Sequence, residues 1–274
     1  MLILSPPAPL DRPADLWLAL LLTGAVAGAA WRASSLSARG AVGALAVGTV
    51  ALCASWGLGA YLLAWFALAS LLSRVGRARK AKRVRGIVEK GDRRDAWQVM
   101  ANGAVFAIAA FGVIVWPDAG PMLSIAAAAS LAAAGADTWA TEIRTLIGGR
   151  PWSLRVRTTV PPGTSGAVTL AGSLGSVAGA ITLSLVARAL HIIPASALVA
   201  VTVGGIVGAL ADTAIGAWAQ ARSWCPQCML ETERALHDCG TRTVRHGGIT
   251  RLDNDVVNLF CTVVGAVTAL ALAR

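Results

Sequence analysis

The stretch GAVGALAVGTVALCASWGLGAYLLAWFALASLLS, Gly40 to Ser73, is long enough for one tilted membrane helix or for two short ones that turn at Ser55-Trp56-Gly57. Its reading sets the parity of every later crossing. Around it, apolar runs suited to a hydrocarbon core about 30 Å thick lie near residues 16–31, 97–116, 121–143, 165–188, 194–219 and 254–273. If the stretch is two helices, near 40–55 and 57–73, one side of the membrane receives the loops near 32–39, 74–96, 144–164 and 220–252. These carry 2, 10, 4 and 5 Lys or Arg, together 21 of the 24 in the chain, and leave Arg12, Arg188 and Arg274 opposite. A single helix would divide the basic loops between the two sides, against the retention of Lys and Arg in the cytoplasm. The sequence therefore predicts an all-α, polytopic membrane helix bundle of about eight transmembrane helices, one transmembrane domain over 1–274. Both termini are expected outside, with the basic loop 74–96 and a small Cys-rich loop, 220–252, in the cytoplasm.

Composition supports the membrane assignment. The 274 residues are 56% hydrophobic and 14% charged, with mean hydropathy +0.65, too little polar surface for a soluble protein of this size. A formal charge of +10 invites a nucleic-acid reading, but the basic residues sit in short loops between apolar runs, where orientation and anionic headgroups account for them. No nucleic-acid partner is expected, and membrane lipids are. Asp11, Arg12 and Asp15 precede the first run without a strongly basic segment, so that run is read as a retained span rather than a signal peptide. Trp17 with Trp31, and Trp97 with Trp116, bracket their spans as interfacial anchors do. The expected location is the cell (inner) membrane.

Polar residues interrupt four spans. In GADTWATEIR, Gly135 to Arg144, a helical wheel puts Asp137, Thr138, Thr141, Glu142 and Arg144 on one arc and Trp139 and Ile143 on the other. In VGALADTAIGAWAQ, Val207 to Gln220, Asp212 lies well inside the span and shares a face with Thr213, Gly216 and Gln220. A carboxylate at the bilayer centre costs roughly 3 kcal/mol, so such a residue faces a polar cavity or a cation more readily than it serves packing. In RLDNDVVNLF, Arg251 to Phe260, Asp253 can cap the helix, while Asn254, Asp255 and Asn258 share a face. Gln98 and Asn102 stand one turn apart near the start of their span, where an interhelical hydrogen bond would explain them. All four sets lie toward the same side and can converge on one pocket. Their oxygen donors suit Mg²⁺, which is typically shared between a few carboxylates and substrate phosphates.

TTVPPGTSGAVTLAGSLGS, Thr158 to Ser176, runs from a Pro-Pro segment through Gly163, Thr164, Ser165 and Gly166 into an apolar helix. The N-terminus of such a helix is an anion site, with Arg144, Arg155 and Arg157 upstream to supply charge; a capped tight turn is the plainer reading. Cys225-Pro226-Gln227-Cys228 and His237-Asp238-Cys239 match a structural zinc site with His237 or His246 as fourth ligand, against free thiols or a disulfide. Cys53 and Cys261 lie in spans as ordinary small apolar residues.

The pieces MANGAV, ADTWATEIR, TTVPPGTSGAVTLAGSLGS, GALADTAIGAWAQ, CPQC with HDCGT, and RLDNDVVNL, in order from Met100 to Leu259, resemble a family of integral membrane proteins that includes the plant and cyanobacterial phytyl-phosphate kinases. The family is distantly similar to the phytol and dolichol kinases, which use CTP. The resemblance implies transfer of a phosphoryl group from a nucleoside triphosphate, CTP by preference, to an isoprenyl (phytyl or geranylgeranyl) monophosphate, on a route to tocopherol-type products. It covers the C-terminal two thirds and departs from the family pattern at Arg144, where Gly is expected. On this reading Asp137, Glu142, Asp212 and Asp255 are catalytic and hold Mg²⁺. Asn102, Thr141, Arg144, Arg157, Gly163, Thr164, Ser165, Gly166, Arg251, Asn254 and Asn258 contact substrate or nucleotide, and the site faces the cytoplasm. Three other readings compete. A cation-coupled transporter of a small anion or lipid phosphate would place its carboxylates near the bilayer centre within an inverted repeat. A scaffold would pair its carboxylates with arginines, and a lipid cytidylyltransferase would release pyrophosphate.

Overall fold

The computed structural model describes residues 13–87 and 93–274, so Asp11, Arg12 and the part of the basic loop at 88–92 lie outside the described residues. The chain is mostly helical, at 68%. Ser55 answers the question posed by residues 40–73. Its backbone is extended (φ −167°, ψ 155°), and it separates α2 (Ala38–Ala54) from α3 (Trp56–Arg74), whose first turn it caps by accepting from the Leu58 N–H. The other long helices are α1 (Leu16–Arg32), α5 (Ala96–Val115), α6 (Gly120–Ile147), α7 (Leu170–Ala189), α8 (Leu198–Trp218) and α9 (Asn254–Leu272), with a short basic α4 (Arg77–Arg83) between α3 and α5. Side chains at Asp15, Ser37, Asp95, Thr169 and Asp253 cap α1, α2, α5, α7 and α9, so the residue types that break the apolar runs also start the helices.

Six of these helices, α3 and α5 to α9, are long and apolar enough to cross a membrane. The remaining two long ones, α1 and α2, have 17 residues each and reach about 26 Å, short of a full hydrocarbon core. The eight expected spans thus comprise six helices of full spanning length and two shorter apolar ones. Trp17, Trp31, Trp97 and Trp116 are exposed at or near helix ends, as membrane-interface anchors are.

The all-α expectation needs one correction. Two small antiparallel sheets occupy the loops: β1 (Trp152–Ser153) with β2 (Ala167–Val168), and β3 (Arg222–Cys225) flanked by β4 (Leu230–Thr232) and β5 (Val244–Gly247) in the order β4-β3-β5. These strands are too short and too polar to leave an alternating pattern in the sequence.

Helix α6 is the central element and packs against α3, α5, α7, α8 and α9. Small residues let backbones meet. A Cβ on Gly208 of α8 would stand 2.6 Å from the Cys261 carbonyl oxygen of α9, and one on Gly204 would stand 2.6 Å from that of Gly265. The four basic loops gather at one end of the bundle. Arg94 exchanges backbone hydrogen bonds with Ser35 and Ser37, Arg83 donates to the Thr145 and Leu146 carbonyls, and Arg155 pairs with Glu231.

Candidate functional site

At that end a cavity of about 550 Å³ opens among α4, α5, α6, α7, α8, α9 and the loop before α7. All three membrane carboxylates on α6 and α8 line it. Asp137 and Asp212 project toward each other from α6 and α8 within hydrogen-bonding reach, with the Arg144 guanidinium as nearby cation. Asp212 Oδ2 is buried without a hydrogen-bond partner among the described residues. An unsatisfied buried carboxylate oxygen is costly, and a cation is what it lacks. Asp255, buried in the first turn of α9, adds a third carboxylate, with Asn254 and Asn258 beside it. Asp253 is committed to capping, accepting from the Asp255 and Val256 N–H groups at 3.0 and 3.1 Å.

Glu142 has other partners. Its carboxylate accepts from Ser73 Oγ and from Lys80 Nζ, both at 2.5 Å, and the lysine is 6% exposed. The other two N–H bonds of Lys80 go to the Leu72 and Ser73 carbonyls at the end of α3, 2.8 Å each. The ammonium is thus fully used: it caps one helix and ties it to α6. Of the four carboxylates expected to hold Mg²⁺, Glu142 is the one tied to a lysine, while Asp137, Asp212 and Asp255 all line the cavity. Hard oxygen donors with carboxamides alongside fit Mg²⁺, and the orphaned Asp212 oxygen is the observation behind that fit.

The Gly-rich loop is placed differently from expectation. Helix α7 begins at Leu170, not at Ser165, and its first turn is closed by Thr169, which accepts from the Gly172 N–H at 3.0 Å. Gly163 (φ 97°) and Gly166 (φ 67°) instead shape the turn ahead of β2, and a Cβ on Gly166 would fall 2.2 Å from the Ala217 nitrogen. Gly163, Ser165 and Gly166 line the cavity, where Ser165 hydrogen-bonds Gln220. Thr164 does not line it; its hydroxyl donates to the Pro161 carbonyl at 2.8 Å. Arg157 and Arg251 do not line it either; both are exposed, in a bend and a turn. Arg155 is taken up by Glu231 at 3.0 Å. Arg144, which departs from the family pattern, lines the cavity and donates to the Ala167 carbonyl, joining α6 to β2. Thr141 lines it as well. Asn102 does too, but its amide donates to the Gln98 carbonyl within α5, and Gln98 forms a capping box with Asp95 rather than an interhelical bond.

Sequence reasoning missed Lys80, Arg94 and Glu233, all on the cavity wall. Lys80 was one of ten basic residues in its loop, and only its register on α4 singles it out. Arg94 stacks over Trp65 and Phe66 at 5.9 and 5.5 Å, a contact between distant segments.

The cysteine loop brings its four expected ligands together. The ligating atoms of Cys225, Cys228, His237 and Cys239 all lie within 4.8 Å of one another. His246 is elsewhere, stacked on Trp224 with ring centres 5.1 Å apart. Hydrogen bonds involving Thr241 and His237 bring the Cys239 thiol down to about 6, while its bond with Cys239 pushes Cys228 up to about 11.

The cavity also has apolar lining. Both Val177 of α7 and Leu210 of α8 line it, and they are 38% and 61% exposed.

Comparison with known proteins places this architecture. The chain is 27% identical over 268 residues to Protein PGR of Arabidopsis thaliana, covering 88% of this chain and 90% of that one. It is 32% identical over 210 residues to the uncharacterized membrane protein MJ0933 of Methanocaldococcus jannaschii, covering 75% and 72%. It is 29% identical over 164 residues to the uncharacterized membrane protein sll0875 of Synechocystis, covering 58% and 62%. No solved structure matches. The family model described as integral membrane protein DUF92 matches residues 21–266, which takes in every cavity-lining element, and the chain belongs to that family.

Proposed function

We propose that the protein is a membrane kinase that phosphorylates an isoprenyl monophosphate to the diphosphate at the expense of a nucleoside triphosphate, CTP by preference, with its site toward the cytoplasm. The observation that carries this reading is the cavity itself: carboxylates and cations share a space at the loop end that is also lined by the exposed apolar side chains of Val177 and Leu210 on α7 and α8. A substrate with a phosphate head and a prenyl tail suits a lining that is polar at the carboxylates and apolar at Val177 and Leu210. Among the described residues Asp137, Glu142, Asp212, Glu233, Asp253 and Asp255 outnumber Arg77, Lys80, Arg94 and Arg144 on the walls. A triphosphate alone would meet net repulsion there, which makes a divalent cation part of the binding chemistry.

In this mechanism Asp137, Asp212 and Asp255, with Asn254 and Asn258, would hold Mg²⁺, which supplies charge neutralisation for the phosphates. Arg144, held by the Ala167 carbonyl, keeps positive charge beside the transferring group, while Lys80 is spent on Glu142 and the end of α3. An oxygen of the lipid monophosphate forms a bond to the γ-phosphorus as the bond from that phosphorus to the bridging oxygen breaks. The nucleoside diphosphate leaves with that electron pair. The attacking phosphate oxygen is already anionic, so the step needs no strong base.

The test uses detergent-purified protein with Mg²⁺, each of CTP, ATP, GTP and UTP, and phytyl or geranylgeranyl monophosphate, with lipid diphosphate measured by mass spectrometry. Diphosphate formed with wild type and lost in Asp212→Asn supports the kinase and names the donor. Pyrophosphate release would point to a cytidylyltransferase, and no turnover by folded protein would favour the transporter, for which the Asp137 and Asp212 pair would bind a coupling cation.

A further inference from the structure

We propose that Cys225, Cys228, His237 and Cys239 bind one structural Zn²⁺, and that this ion clasps the basic segment after α4 and the β4-β3-β5 sheet over the mouth of the cavity. The ligand set is three sulfurs and an imidazole nitrogen at spacings a tetrahedron accepts. With bonds of about 2.3 Å, zinc-bound sulfurs stand roughly 3.8 Å apart. Here Cys225 Sγ and Cys239 Sγ are 3.5 Å apart, and His237 Nδ1 is 3.3 Å from Cys239 Sγ.

The backbone around the cluster has the form of two metal knuckles. The Cys228 N–H points back to Cys225 Sγ at 3.5 Å, and the Cys239 N–H to His237 Nδ1 at 3.5 Å. Each knuckle ends in a left-handed residue, Met229 (φ 50°) after Cys228 and Gly240 (φ 82°) after Cys239. A methionine in that conformation is strained and persists where its surroundings over-determine it, as metal ligation does. Apolar packing holds little of this region: the sheet's strands are three or four residues long, and among the described residues none of 222–247 belongs to a hydrophobic core cluster.

The consequence for the cavity follows from what the knuckles carry. Cys225 ends β3, and Thr232 at the end of β4 donates from its hydroxyl to the Gly86 and Ile87 carbonyls at 2.8 and 3.0 Å. The Glu233 N–H donates to the Ile87 carbonyl at 2.9 Å, and its carboxylate accepts from Gln220, which holds Ser165. Gly86 runs so close to the ligand ring that a Cβ there would lie 2.9 Å from His237 Nε2. One ion would therefore fix the sheet, the segment that follows Lys80, and the Gln220 and Glu233 wall at once.

This site is independent of which phosphate the cavity takes. Elemental analysis of detergent-purified protein, isolated without a chelating resin, should find one zinc per chain, lost in Cys225→Ser and in Cys239→Ser. Replacement by Co²⁺ should give the thiolate charge-transfer and tetrahedral bands of a sulfur-rich site. Because those variants can misfold, chelation and zinc re-addition on the wild type are followed by hydrogen exchange. Chelation should speed exchange roughly tenfold or more in peptides from 222–247 and 77–87, leave α6 and α9 unchanged, and be reversed by zinc. Monodisperse protein without metal, iron in place of zinc, or exchange that ignores chelation would each overturn the proposal.

Discussion

From Ile125 to Ala136 every residue of α6 is buried, whereas from Asp137 to Leu146 none is. The first half meets α5, α7, α8 and α9 through alanine and glycine at close range; the second half faces a cavity lined by groups from α3 to α9 and from the loops between them. One continuous helix thus serves two solvents. Close packing in the first half leaves no room for a ligand, and the open cavity beside the second half does leave it. The two halves should consequently respond to substitution in opposite ways.

The largest effect is expected in the wet half. Asp212→Asn should lower lipid diphosphate formation by ~10³-fold while leaving the unfolding midpoint unchanged or raised, since a neutral amide replaces a buried carboxylate with an unpartnered oxygen. Activity that survives the change would break the comparison. In the dry half, Gly208→Val on α8 drives a Cβ against the Cys261 carbonyl and should cost about 3 kcal/mol, lowering the midpoint by on the order of 10 °C in detergent. Turnover per folded molecule should stay intact.

The boundary between the halves can be sharpened at Lys80 and Glu142. Lys80→Met and Glu142→Gln should each destabilise by about 2 kcal/mol, and the double variant should lose about 1 to 2 kcal/mol less than their sum, read by thermal or denaturant unfolding. Additive losses would mean that the pair is not a unit and that Glu142 is available to a metal. The smallest effect belongs to Arg157→Ala and Arg251→Ala, which lie outside the cavity and should change kcat/KM less than about twofold. A larger change in either would return the Gly-rich loop or the α9 entrance to the site.

Where reading along the chain succeeded, the signal was local. The helix limits follow from apolar length and from the Ser, Thr and Asp residues that interrupt it, as at Ser55 and Asp253. The polar arc of α6 was visible because Asp137, Thr141 and Arg144 repeat at helical spacing within ten residues. The GTSG stretch left two readings open, an anion-binding helix start and a capped tight turn, because the same glycines serve both; the cap at Thr169 selects the turn. The two sheets were missed because strands of two to four residues carry no period.

What the sequence determined alone is a membrane protein of mostly apolar helices, the positions of its caps, and a few carboxylates whose burial needs a reason. These follow from hydropathy, side-chain type and spacing, which act over a turn or two of helix. Only the tertiary structure decided that Lys80 neutralises Glu142, that Asp137 meets Asp212, that Arg94 joins the wall, and that His237 rather than His246 completes the cysteine cluster. Each of those pairings joins residues on different segments, and electrostatic and coordinate contacts of a few ångströms leave no trace in the order of the chain until packing brings the segments together.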